Sequence, residues 1–97
     1  MGEIKERYKM EIKKSTRKHK KYMARRGKLW PWVHFGDKRY AQFKDSTGLG
    51  LYSHLDHGDK RRRDYYFQRF SDTPYKKEAL KKEKKYSAKW LSHKYLW

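Results

Sequence analysis

The chain contains no cysteine, so neither a disulfide framework nor a thiolate zinc site can hold a small fold together. β-branched residues are almost as scarce, with two Ile, one Val and three Thr in 97 residues, a composition that disfavours a sheet-based fold. No run approaches the roughly 20 apolar residues of a membrane-spanning helix, and the N-terminus lacks the apolar stretch of a secretory leader. The expectation is therefore no membrane span and a protein made and used inside a cell. Apolar residues reach only 35% against 40% charged, near the composition at which buried area no longer offsets chain entropy. Part of the chain is thus expected to order only on binding. Acidic residues are few as well: 11 Asp and Glu stand against 28 Lys and Arg, a formal charge of +17. A compact chain so charged repels itself unless anions neutralise it, which points to nucleic acid or to the acidic surface of a larger assembly.

What the chain does have is aromatic side chains, 18% of its residues. Each buries roughly 150–250 Å², so the expected core is aromatic rather than aliphatic. The length suits one small domain and one arm. Residues 1–28 carry twelve Lys and Arg against three Glu, a net +9, which leaves +8 of the +17 to the rest. Within them Ile4, Tyr8 and Ile12 repeat every four residues, the spacing of one helix stripe, before the pattern dissolves into Arg17-Lys18-His19-Lys20-Lys21. This segment reads as a short conditional helix leading into a basic arm that ends at Gly27.

From Trp30 to Phe43 the composition turns aromatic, and residues 29–97 read as the folded part. Trp30-Pro31-Trp32-Val33-His34-Phe35 is expected to be extended, because Pro31 keeps its predecessor out of the helical region. Gly36-Asp37 offers a turn, with Asp37 capping a brief helical turn through Phe43. Residues 45–58 hold Gly48, Gly50 and Gly58 and read as a loop. Asp56 or Asp59 then caps a helix from His57 to Phe70, with Tyr66 and Phe70 on one face and Arg61, Arg62 and Arg63 around the other. Thr73-Pro74 is expected to start a surface helix from Tyr75 to Tyr86, and Ser87 a last one carrying Trp90, Leu91 and Tyr95. The expected class is mainly α: a small irregular helical domain on an aromatic core, with an extended basic N-terminal arm.

Chemistry is thinly represented. His54-Leu55-Asp56-His57 has the His-x-Asp-His spacing of part of a dinuclear metal site, but Tyr52 stands where a further His is wanted and the chain is too short for the remaining scaffold. A structural role beside a helix start is the stronger reading for both histidines. No cofactor, no metal and no enzymatic activity are expected. Anion or partner contact falls to Arg17, Lys18, Lys20, Lys21, Arg25 and Arg26 of the arm and to Lys60, Arg61, Arg62 and Arg63, of which about two can face one partner because successive helical residues turn by about 100°. Trp30, Trp32, Phe35, Tyr66, Trp90 and Trp97 are the expected anchors of the core. Base stacking by Trp30, Trp32, Tyr65 and Tyr66 is the alternative use of those rings.

Three blocks in order, His34-Phe35-Gly36-Asp37, then Asp56-His57 with Asp59-Lys60-Arg61-Arg62, Tyr66 and Arg69, then Trp90 with Leu96-Trp97, resemble a family of small basic uncharacterised proteins of large double-stranded DNA viruses of algae and protists. The likeness spans residues 30–97 and departs at Phe70, where the pattern has a His. It implies a virion component present in multiple copies, found in the host cytoplasm or nucleus during assembly. The functional expectation that follows is a non-enzymatic minor capsid protein binding major or other minor capsid proteins beneath the shell. The alternative is a sequence-nonspecific nucleic-acid-binding protein that helps package viral DNA.

Overall fold

The computed structural model describes residues 10–97, so Ile4 and Tyr8 of the expected stripe lie outside the described residues. The basic segment that follows is not an arm but a sheet. Strands β1 (Glu11–Lys14), β2 (Lys20–Arg25) and β3 (Val33–Asp37) form an antiparallel meander in that order. Three α-helices follow, α1 (Lys60–Ser71), α2 (Lys76–Lys82) and α3 (Ala88–Tyr95), with a single 3₁₀ turn at Ser53–Leu55 before them. The domain is α+β, and the mainly-α expectation is corrected accordingly, as is the extended arm for the described residues 10–28.

The reason lies in two short beats of alternation hidden in a lysine run. In β2, Tyr22 and Ala24 are both fully buried while Met23 and Arg25 are not, the period of two that a half-buried strand requires. Register places Tyr22 opposite Phe35 and Ala24 opposite both Ile12 and Val33. The inner face is therefore aromatic at one end and small at the other. β-propensity expresses packing against cross-strand neighbours more than an intrinsic backbone preference, so one Val and one Ile suffice once Tyr22 and Phe35 meet, their rings 6.0 Å apart.

Helix α3 lies against β3. Trp90, Leu91 and Leu96 join Tyr22, Ala24 and Phe35 in one buried cluster, and Tyr95 packs its ring 6.1 Å from Phe35. Ser87 starts the helix as expected, its side chain accepting from the Trp90 N–H at 3.2 Å. Asp59 likewise caps α1 by accepting from the Arg61 and Arg62 N–H groups. Thr73 does not cap α2. Its hydroxyl donates to Glu78 at 2.9 Å and accepts from the Tyr75 N–H, and the helix begins only at Lys76. The helix also stops at Lys82 rather than Tyr86. Tyr86 takes a left-handed backbone at φ 69°, which turns the chain and packs its ring, tilted by 56°, 5.1 Å from that of Trp90.

The turn expected after Gly36 is present, as the Tyr40 N–H donates to the Asp37 carbonyl at 3.2 Å, but no helix follows. Residues 38–58 instead fold back over β2 and the chain end: the Phe43 and Lys44 N–H groups both donate to the Leu96 carbonyl, and Ser46 N–H to that of Tyr95. Gly36 sits where these layers close. Its φ is 77°, and a Cβ there would lie 2.8 Å from Leu96 Cδ1 and 3.2 Å from Lys21 Cβ. Gly36→Ala should thus lower stability by about 2–4 kcal/mol, the sum of left-handed strain and overpacking. Chemical denaturation checks it, and a midpoint unchanged from the parent would mean that the chain end does not close on β3.

Candidate nucleic-acid interface

The inward side of the charge pattern comes first, because it decides which cations remain outside. Lys21 is only 2% exposed. Its ammonium donates to the Tyr40 carbonyl at 2.8 Å and to Gln42 Oε1. Gln42, itself buried, passes its amide protons to the Tyr52 carbonyl and to Asp56 Oδ1, both at 2.8 Å. Asp56 also accepts from the Asp45 N–H, and Asp45 accepts from the Tyr22 hydroxyl and from Thr47. Burial lowers the Lys21 pKa to about 8 against the pull of Asp37, Asp45 and Asp56. Burial, reinforced by the bond to Asp45, raises that of Tyr22 to about 12. Of the expected contact residues, Lys21 therefore faces its own chain.

The others point outward in three groups. Arg17 and Lys18 are exposed at the β1–β2 hairpin tip, which Ser15 closes by a 2.7 Å hydrogen bond to His34 Nδ1. Ser15 Oγ also accepts from the Arg17 N–H, and burial, followed by the charges of Arg17 and Lys20, lowers the pKa of His34. Lys20 lies opposite Asp37 in the strand register, while Asp37 itself is gripped by Arg39 at 2.8 Å, which holds its carboxyl far below the usual range.

The second group spans the outer face of the sheet, at Lys13 and Arg25, and the end of β2, at Arg26. Arg25 binds Glu11 at 2.8 Å and lays its guanidinium over Trp32, 4.3 Å from the ring centroid, with Lys13 on the same ring at 5.6 Å. Arg26 lies 3.4 Å from the Trp30 centroid and 4.5 Å from that of Tyr86. Trp30 is 48% exposed, so it and the half-buried Trp32 belong to this surface rather than to the core. The third group opens α1: Lys60, Arg61 and Arg62 are exposed, whereas Arg63 folds onto Phe43 at 4.4 Å. Tyr65 is also exposed, but Tyr66 turns inward and stacks on Trp97, centroids 4.1 Å apart and planes 5° from parallel.

Among the described residues only four cations, Lys13, Arg25, Arg39 and Lys89, have a carboxylate within 4 Å. The positive surface is thus largely uncompensated. The His-x-Asp-His segment holds no metal-binding cluster: His54 is exposed, Asp56 belongs to the Gln42 network, and His57 Nδ1 accepts from the Asp59 N–H at 2.9 Å. No group of three or more potential ligands exists among the described residues, and none of their helices is long and apolar enough to cross a membrane. Gln42 and Tyr86 escaped the sequence reading, since only their tertiary neighbours give them a role. Asp45, expected from its local cations to be a plain ion-pair partner, instead accepts from Tyr22 and Thr47. Comparison with known protein families, curated proteins and solved structures finds no match to this chain.

Under α1, His93 is fully buried between the Tyr66 hydroxyl at 2.9 Å and the Ser71 hydroxyl at 3.1 Å. Burial lowers its pKa to about 4, with Lys89 and Lys76 acting in the same sense and Glu83 opposing. Because the folded state resists protonation, the unfolded chain binds more protons between pH 6.5 and 4, and stability falls as pH drops through that window. The loss should approach about 3 kcal/mol at pH 4. Urea denaturation of the wild type and of His93→Gln checks this, and an equal slope in both would remove His93 as the cause.

Proposed function

We propose that this chain is a non-enzymatic structural protein of a virus particle that binds nucleic acid without regard to sequence, in the zone where coat and genome meet. The observation that carries the reading is the surface charge. Of 28 Lys and Arg, one is sealed inside and four of the described ones have a carboxylate partner, while the hairpin tip, the outer sheet face and the start of α1 all present cations to solvent. Phosphate contacts of this kind position a protein on nucleic acid but carry no base information. The virion setting rests on the family resemblance, as does presence in multiple copies.

The reading changes the order of the two expectations for a physical reason. An arm that orders on binding favoured a coat-protein contact, because such arms wrap more surface than compact domains. With β1 and β2 inside the sheet, that argument loses its basis from Glu11 to Arg25. The coat contact remains the second reading on a different observation: Leu29 is 99% exposed and Leu49 and Leu51 are nearly half exposed, apolar groups better suited to a protein surface than to phosphate.

Salt separates the two. Release of counterions from six to ten phosphates weakens binding by about 10³–10⁵ between 50 and 200 mM salt, whereas apolar contacts persist when the Debye length falls to about 3 Å at 1 M. Virus particles opened and washed at rising salt with nuclease should lose this protein together with the DNA. Retention on the shell after the genome has gone would make the coat contact the function.

A further inference from the structure

Beside the Arg26 sandwich lies an open groove of about 330 Å³, lined by Arg25, Arg26, Trp30, Val33, Lys84 and Tyr86 among others. No carboxylate of the described residues lines it. Its floor is apolar and its rim cationic, a complement to a ligand with a flat apolar body and a negative edge. We propose that this groove is a binding site for one nucleotide unit of a single strand, its base stacked on Trp30 and its phosphate held by Arg26.

Three features of the groove support this assignment. Arg26 is fixed between two rings, and no carboxylate of the described residues lies within salt-bridge distance of it. A planar guanidinium so held keeps its donor edge oriented for the paired oxygens of a phosphate. Trp30 gives one ring face to Arg26 and remains 48% exposed, leaving apolar area for a second stacking partner. Tyr86 reaches Arg26 only through a left-handed backbone at φ 69°, a conformation that bulky residues hold at a cost and that gathers at binding sites. A duplex keeps its bases stacked inside, whereas a single strand offers them to exposed rings. The site is thus selective for strand state, not sequence.

The proposal rests on the nucleic-acid reading, and the experiment distinguishes failure of one from failure of the other. The full chain is titrated with oligothymidylate, with a duplex of equal length and with polyglutamate, following tryptophan fluorescence and a salt series. The single strand should quench fluorescence and bind more tightly than the duplex. Trp30→Leu should weaken single-strand binding roughly five- to a hundredfold. Arg26→Lys, which keeps the charge but loses the planar fork, should weaken it about tenfold with little change in salt slope. Arg61→Ala, away from the groove, should lower the salt slope by about 1 on single strand and duplex alike. Should Trp30→Leu fail to fold, as judged by its thermal melt, the Arg26→Lys comparison decides alone. Binding by both groove variants equal to wild type would move the nucleotide elsewhere while leaving the nucleic-acid reading intact. Wild type that binds neither strand nor duplex would end that reading and the proposal with it. Polyglutamate bound as tightly, and lost through the same two variants, would make the groove a site for acidic protein, and a duplex preference would overturn the single-strand assignment.

Discussion

One buried ammonium organises this small domain. Lys21 lies in the central strand, and a charge removed from water is strongly unfavourable unless its protons find acceptors. They find the Tyr40 carbonyl and Gln42, which draws residues 38–58 over the sheet. From Gln42 the hydrogen bonds continue through Asp56 and Asp45 back to Tyr22, the neighbour of Lys21 on the same strand. The loop, poor in secondary structure, is thereby closed on itself by polar contacts where apolar ones are too few. Its carboxylates also offset the buried charge without touching it.

Scarcity of aliphatic side chains sets the character of the remaining core. Tyr22, Phe35 and Trp90 fill one side, while Tyr66, Phe67, His93 and Trp97 form a second cluster under α1. Aromatic side chains supply large buried area, but Tyr and His also bring polar atoms that need partners. His93 meets this need by bridging two hydroxyls, and that bond geometry holds α1 to α3. The same solution makes the interface sensitive to acid, since an imidazole satisfied as a neutral group has no acceptor for a second ring proton.

Acidic residues are outnumbered from the start, 11 against 28 Lys and Arg, and three of them serve a cap or the Lys21 network. Asp59 caps α1, Asp37 grips Arg39, and Asp45 and Asp56 serve the interior. Composition makes the surface positive, and the inward placement of Asp45 and Asp56 adds to the excess. Arginine placed against Trp30, Trp32, Phe43 and Tyr86 adds a planar, weakly hydrated cation to a flat ring, which gives this surface rigidity that solvated lysines lack.

Composition and local pattern determined the positive surface, the aromatic core and the cap at Ser87, and narrowed the cap of α1 to Asp56 or Asp59, because each depends on residue type and on neighbours only a few positions away. Phe35 and Trp90 were recognisable as core for the same reason: rings that large are rarely left in water by a chain with so little else to bury. The sheet was not legible. Its alternation in β2 is two residues long and embedded among lysines, and what makes it a strand is the pairing of Tyr22 with Phe35, thirteen residues away. The inward turn of Lys21 and the outward turn of Trp30 and Trp32 were decided by tertiary structure too. A lysine is buried only where a glutamine and a carbonyl from a distant loop receive it, and a tryptophan stays at the surface where an arginine on the adjoining strand or loop covers one of its faces.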